Sequence, residues 1–180
     1  MRKYLLIFVL TLFTTLSFSQ RSQYTTYGIR AGINITNLDF DPGPLFDNQH
    51  RNGFYFGGFA EFPFSDTVFL NTELQWSAEG AKDENLRANY LNVPIQVRLA
   101  IGDNITVGAG PQVSLKTWKT ADGFSTWNFA GVGGVEYRIF DDYFVDLRAS
   151  YRFSDVLDDT FGAGLEAKQF LIQLGVGIKM

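Results

Sequence analysis

The chain has 180 residues, of which 46% are hydrophobic and 16% aromatic, enough for one domain with a sizeable buried surface. Its formal charge of -4 argues against nucleic acid as a partner. Because cysteine is absent, the sequence excludes disulfides, thiolate chemistry and the acylated cysteine of a lipoprotein.

The N-terminal segment has the pattern of a secretory signal peptide. Two basic residues precede an apolar run from Tyr4 to Phe13, and Ser17 and Ser19 follow at the small-x-small spacing of a cleavage site. A membrane anchor is the alternative, but the run is shorter than the roughly 20 residues that a spanning helix needs. We therefore predict a signal peptide at residues 1–19 and a mature domain at residues 20–180.

Beyond residue 20, apolar and polar residues alternate with a period of two in eight segments. They have 10 to 14 residues, which is enough for the roughly 9 to 11 that a transmembrane strand requires. An even number of such strands can close, so the sequence predicts an all-β fold: an eight-stranded antiparallel up-and-down transmembrane β-barrel. The predicted strands are Thr25–Ile35, Gly53–Phe64, Val68–Glu79, Tyr90–Ile101, Ile105–Lys116, Trp127–Phe140, Phe144–Phe153 and Lys168–Met180.

The connections between these segments alternate between short and long. Each short turn contains an aspartate, whose side chain can bond the turn backbone. Outer-membrane barrels have short periplasmic turns and long outward loops, so we expect both chain ends in the periplasm and the long loops outside the cell. The short turns are residues 65–67, 102–104 and 141–143, and the long connections are 38–52, 80–88, 117–126 and 154–167.

The alternation separates an apolar face from a charged face. The apolar face carries no charged residue and includes Ile33, Phe56, Val97 and Leu174. Because an eight-stranded barrel is just wide enough for side chains to fill, we predict that the charged face forms an internal salt-bridge network. Its predicted members are Arg30, Glu61, Glu73, Arg98, Glu136, Arg138, Asp146, Arg148 and Arg152, and Glu79, Lys116 and Lys179 share this face.

Turn lengths predict the strand register. A three-residue turn at 141–143 places Arg138 opposite Asp146 and Glu136 opposite Arg148, which gives two pairs of opposite charge. The same counting pairs Phe64 with Val68 and Ile101 with Ile105.

Two prolines interrupt this register. Pro94 and Pro111 fall within neighbouring strands, one position out of register with each other, and neither can donate a ladder hydrogen bond. We predict a bulge or a local gap at this level.

A soluble, lipocalin-like barrel with the apolar face inside is the main structural alternative. The membrane version is favoured because aromatic residues such as Tyr27, Trp76, Trp127 and Phe170 cluster towards the strand ends, as in interfacial girdles. In addition, eight glycines lie on the charged face, where they leave room for long side chains: residues 28, 32, 57, 108, 110, 134, 175 and 177.

Several segments resemble the small outer-membrane β-barrel family that is widespread in Bacteroidetes and often called PorT-like. They are YGIRAGINITNL, GFYFGGFAEFPFSDTVFLNTELQWSAEGAK, NYLNVPIQVRLAI and VGAGPQVSLK, and the resemblance covers essentially the whole mature chain. It implies an eight-stranded barrel without catalytic residues, and a link to protein secretion across the outer membrane. Such chains usually end on an aromatic residue that the barrel-insertion machinery reads, whereas this one ends on Met180.

The candidate chemistry is limited. A narrow path for ions or small solutes is one alternative to a plugged lumen. A lipid-modifying enzyme is another, with His50 as base and Ser154 or Ser125 as nucleophile, but no nucleophile and base spacing supports it. The loop aspartates match no calcium-loop spacing, so we expect no metal and no cofactor.

We therefore expect a non-catalytic protein with a structural or interaction role in the cell envelope, exerted through its loops. The expected partners are outer-membrane lipid and lipopolysaccharide, the barrel-insertion machinery, and secretion or envelope proteins.

Overall fold

The structure, a computed structural model, describes residues 24–41, 50–82, 87–117, 124–156 and 166–180. Within them eight antiparallel strands follow one another around a closed barrel, which the first and last strands complete. The predicted fold is confirmed. The signal peptide predicted at residues 1–19 lies outside the described residues and stays a prediction. The strands are β1 Thr26–Asp41, β2 Arg51–Pro63, β3 Val68–Gly80, β4 Arg87–Ile101, β5 Ile105–Lys116, β6 Trp127–Arg138, β7 Tyr143–Arg152 and β8 Glu166–Lys179.

The apolar face of the barrel is its outer face. Ile33, Leu174 and Val176 are 54 to 61% exposed on the wall, whereas Arg30 and Glu73 are each 2% exposed inside. An apolar exterior around a charged interior is the arrangement of a membrane barrel. The soluble alternative requires the reverse and is wrong.

The wall is taller on the loop side than the alternation predicts. The predicted end of β1 at Ile35 is wrong, because β1 continues to Asp41. Its ladder with β8 runs from Gly28 opposite Lys179 to Asp41 opposite Glu166. The sequence misses this part because the apolar residues change face: Ile35 is exposed on the wall, whereas Leu38 is buried on the inward face.

The register of β6 with β7 differs by two residues from the predicted one. Arg138 lies opposite Phe144, and Glu136 lies opposite Asp146. The predicted pairs of Arg138 with Asp146 and of Glu136 with Arg148 are therefore wrong. A shift of two residues leaves every side chain on its predicted face, because side chains in a strand alternate with a period of two.

The cause of the shift is the turn between β6 and β7. It lies at residues 140–142, one position before the predicted turn, and the backbone N–H groups of Ile139 and Phe140 both donate to the carbonyl oxygen of Tyr143, at 2.9 and 3.3 Å. The other two predicted registers are confirmed: the Phe64 amide donates to the Val68 carbonyl at 2.8 Å, and Ile101 pairs with Ile105.

The gap predicted at the prolines is confirmed. In the ladder between β4 and β5, Pro94 pairs with Gln112 and Val97 pairs with Ala109, but the two intervening pairs are missing. The pairing between β3 and β4 is also interrupted, beside Glu73. The register is the same on both sides of each interruption, so the wall contains a gap and not a bulge.

Candidate functional site

The lumen holds the charged residues of the chain's inward face. A buried charge is costly unless a partner of opposite sign compensates it, so the pairing decides what the lumen can do. The nine carboxylate and guanidinium residues that are 0 to 5% exposed are Arg30, Glu61, Glu73, Glu79, Arg98, Glu136, Asp146, Arg148 and Arg152.

Nearest the short turns lies a closed ring of four charges, which we call the short-turn tetrad: Glu61, Arg98, Glu136 and Lys179. One side chain comes from each even-numbered strand. Arg98 binds Glu61 at 2.6 Å and also binds Glu136. The Lys179 ammonium binds the same two carboxylates, at 2.9 and 2.7 Å. The tetrad thus spans the lumen and has no net charge.

Further along the lumen lies the central tetrad: Arg30, Glu73, Asp146 and Arg148. Arg30 binds Glu73 at 3.1 Å and Asp146 at 2.6 Å. Arg148 binds the same carboxylates, at 2.6 and 2.9 Å. The Arg30 guanidinium also donates to the Tyr55 hydroxyl at 2.6 Å. This ring is neutral as well, and it ties β1, β3 and β7 together.

A third polar layer, the loop-side network, is built around Glu79. Arg152 and the Gln169 amide donate to one carboxylate oxygen of Glu79, at 2.6 and 2.7 Å, and Asn92 donates to the other at 2.7 Å. The Arg152 guanidinium also lies 3.9 Å from the centre of the Tyr90 ring, a cation–π contact. One charge of each sign again leaves the layer neutral.

Glycine makes room for the arginines of both tetrads. A Cβ atom at Gly108 would lie 2.8 Å from Cγ of Arg98, and one at Gly134 would lie 2.6 Å from Cγ of Arg148. Either distance is too short for a carbon contact. A larger residue at these positions would therefore displace the arginine from its tetrad.

The loop-side end of the lumen is closed by an apolar cluster. Its members are 0 to 2% exposed, and they come from the ends of strands and from the connections beyond them. Two connections are tied together there, because the Ser125 amide donates to the Val156 carbonyl at 2.8 Å. The cluster consists of Leu38, Ala81, Ala88, Tyr90, Phe124, Val156 and Ala167.

The opposite end of the lumen is open. A cavity of about 460 Å³ lies between the short turns and the short-turn tetrad. Between the two tetrads, by contrast, the cavity beside Arg98 and Arg148 measures only about 10 Å³, the scale of one water molecule. The lumen is therefore accessible from the short-turn end and filled with side chains at its centre.

The structure brings eight of the nine predicted network residues into these three layers. Arg138 is the exception: it is exposed at the mouth, and among the described residues no carboxylate pairs with it. Lys116, on the same face, donates to the Phe124 carbonyl at 2.6 Å.

Sequence reasoning missed the neutral members of the network. Tyr55, Asn92 and Gln169 each hold a charged group, and all three are at most 1% exposed. Their position on the inward face is visible in the alternation. Their partners are not, because each partner lies on another strand and the contact depends on how the closed barrel arranges the strands around the lumen.

Two of the residues considered for catalysis have other contacts in the structure. His50 forms an isolated β-bridge with Ala81, whereas the Ser154 hydroxyl contacts Asn128 at 3.4 Å. In the described ranges, no group of three or more His, Cys, Asp or Glu residues could hold a metal ion. No helix in the described part of the chain is long and apolar enough to cross a membrane.

Comparisons with known proteins agree with this architecture. A family model described as "Outer membrane protein beta-barrel domain" matches residues 6–179. Two similar solved structures are Neisserial surface protein A, with 11% identity and a TM-score of 0.59, and Ail, the attachment invasion locus protein of Yersinia pestis, with 14% identity and a TM-score of 0.56. Each comparison covers 88% of this chain and 100% of the other. No curated protein matches the chain.

Proposed function

The chain belongs to the outer-membrane protein β-barrel family, and from this premise we propose that it is a closed, non-catalytic barrel of the outer membrane that acts by binding other envelope components. The packing of the lumen is the observation that supports the proposal. Two neutral rings of four charges and a third polar layer occupy it, and at its centre the space beside the arginines is about 10 Å³. An ion would have to break a ring to pass, so the alternative of a narrow pore is not favoured.

The proposed orientation places both chain ends and the short turns in the periplasm, with the long connections outside the cell. The architecture supports it, because short periplasmic turns and longer outward loops are the rule in bacterial barrels. The apolar wall would contact membrane lipid, and the outer rim would contact lipopolysaccharide.

The interaction role would be exerted at the two ends of the barrel. The names of the two similar structures describe a surface protein and an attachment protein, which fits a role at the cell surface. The resemblance to PorT-like proteins favours a secretion component or another envelope protein as the partner. The machinery that inserts the barrel into the membrane is a further expected partner.

Planar-bilayer recording tests the closed lumen. The purified barrel should give no discrete conductance steps. The matched variant carries Glu73→Ala and Arg148→Ala, which removes one charge of each sign and empties part of the central tetrad. That variant, once its folding is verified by the mobility shift on electrophoresis after heating, should also give no steps, because the short-turn tetrad and the apolar cluster at the loop-side end still close the lumen. Reproducible steps from the unaltered protein would overturn the proposal and favour a pore.

Cysteine labelling tests the orientation, because the chain has no cysteine of its own. Thr117→Cys lies at the loop-side end and Asp103→Cys in a short turn, and both positions are exposed. In intact cells, a maleimide reagent that cannot cross the outer membrane should label the first variant and not the second. The reverse result would invert the orientation. Cross-linked pull-down from native outer membranes would then test for a partner, and recovery of none together with an unaltered envelope would contradict the interaction role.

A further inference from the structure

The open end of the lumen has the composition of a binding site. Its cavity of about 460 Å³ falls within the range of small-ligand pockets, which is about 300 to 1,000 Å³. One part of the lining is apolar and the other is charged. The residues that matter are Tyr24, Pro63 and Phe69 on the apolar part and Glu61, Arg138 and Lys179 on the charged part.

The charged part of this lining presents an excess of one positive charge. Glu61 is neutralised, because Arg98 and Lys179 each bind one of its carboxylate oxygens. The whole short-turn tetrad is neutral, so among the residues that line the cavity the exposed guanidinium of Arg138 adds one positive charge. The four aspartates of the short turns do not line the cavity.

Lys179 offers a second donor to the same space. An ammonium group has three N–H donors, and two of them are used by Glu61 and Glu136. The Lys179 side chain keeps 15% of its surface exposed, and it lines the cavity. A bound anion could therefore receive hydrogen bonds from Lys179 and Arg138 without disturbing the tetrad.

We propose that this cavity, formed by the short-turn mouth of the lumen, binds a ligand with one carboxylate beside an apolar group. A monoanion balances the single excess charge, and a guanidinium fork matches the two oxygens of a carboxylate. The apolar group would pack against Tyr24, Pro63 and Phe69. The C-terminus of a peptide and a small organic acid share this chemistry. The proposal goes beyond the proposed function. It uses the proposed orientation for one point only, namely the side of the membrane from which the ligand comes.

Three probes test the site by NMR titration of the barrel in lipid nanodiscs. N-acetylphenylalanine has both features, N-acetylphenylalaninamide lacks the charge, and 3-phenylpropanoate lacks the peptide group. Both acids should bind about tenfold or more tightly than the amide, the size expected for one charge-assisted hydrogen bond. The shifts should be confined to residues around the mouth, including Tyr24 and Phe69. Tighter binding of N-acetylphenylalanine than of 3-phenylpropanoate would identify the ligand as the C-terminus of a peptide. Equal binding of the two acids would identify it as a small organic acid.

Two variants locate the charge that is responsible. Arg138→Gln should reduce the affinity for both acids towards that for the amide, with Lys179 as the remaining donor, and leave the affinity for the amide itself unchanged. Lys168→Gln removes an exposed cation from the opposite end of the barrel and should change nothing. Equal binding of acid and amide, or undiminished acid binding to the Arg138 variant, would overturn the proposal. These readouts do not involve conductance, so they remain informative if the lumen proves to conduct.

Discussion

Replacing Glu73 by Gln is the sharpest test of the central tetrad. Glu73 is 2% exposed, and its two carboxylate oxygens lie 3.1 Å from Arg30 and 2.6 Å from Arg148. The substitution keeps the shape of the side chain but leaves two buried guanidinium groups with one carboxylate, that of Asp146. The lumen then carries an uncompensated positive charge in a medium with little water.

The expected loss of stability follows from these contacts. A hydrogen bond to a charged group contributes about 1.5 to 3 kcal/mol, so the removal of two of them sets an upper limit of about 6 kcal/mol on the loss of stability. The Gln oxygen still accepts from one guanidinium, and removal of one partner from a buried ion pair typically costs 3 to 5 kcal/mol. We therefore expect the free energy of unfolding to fall by about 3 kcal/mol.

The assay is urea unfolding of the barrel in lipid vesicles, followed by tryptophan fluorescence. Asp103→Asn makes the same chemical change at an exposed turn residue and should alter stability by less than about 0.5 kcal/mol. The double variant Glu73→Gln with Arg148→Gln restores neutrality, so its loss should be smaller than the sum of the single losses by about 1 to 3 kcal/mol. Strict additivity, or a loss below about 1 kcal/mol for the Glu73 variant, would refute the reasoning.

Two further predictions use the same unfolding assay. Gly175→Val should lower the free energy of unfolding by about 1 to 3 kcal/mol, because a Cβ there would overlap the Tyr55 hydroxyl. Gly133→Ala adds a Cβ with only ordinary contacts and should have little effect. Equal losses for the two variants would mean that the lumen is not closely packed. Leu174→Arg places a charge on the apolar wall and should cost roughly 2 to 4 kcal/mol, against about 0 to 1 kcal/mol for Tyr27→Arg near the strand end. Similar costs at these two wall positions would contradict a hydrocarbon layer around the barrel.

The β6–β7 region shows which features the sequence predicts and which it does not. Its alternation correctly places Glu136, Asp146 and Arg148 on one face. The predicted position of the turn is wrong by one residue, because nothing local distinguishes a three-residue turn at 141–143 from the one at 140–142 that the structure has. The apparent charge pairs then supported the wrong register, since opposite charges occur at several positions along the two strands.

Arg138 illustrates the consequence of that error. The sequence predicts that it pairs with Asp146 on the inward face, whereas in the structure it is exposed at the mouth of a cavity. The candidate binding site therefore depends on a shift of two residues that no face pattern can detect.

The sequence by itself determines the strand number, the faces, the interrupted pairing at the two prolines and the glycine positions that admit long side chains. These are local properties, because a strand exposes alternate residues to opposite surroundings and a proline lacks its N–H wherever it stands. Only the tertiary structure decides which charges form the neutral rings. Glu61, Arg98, Glu136 and Lys179 come from four different strands, and they meet only because closure of the barrel brings their side chains together across the lumen.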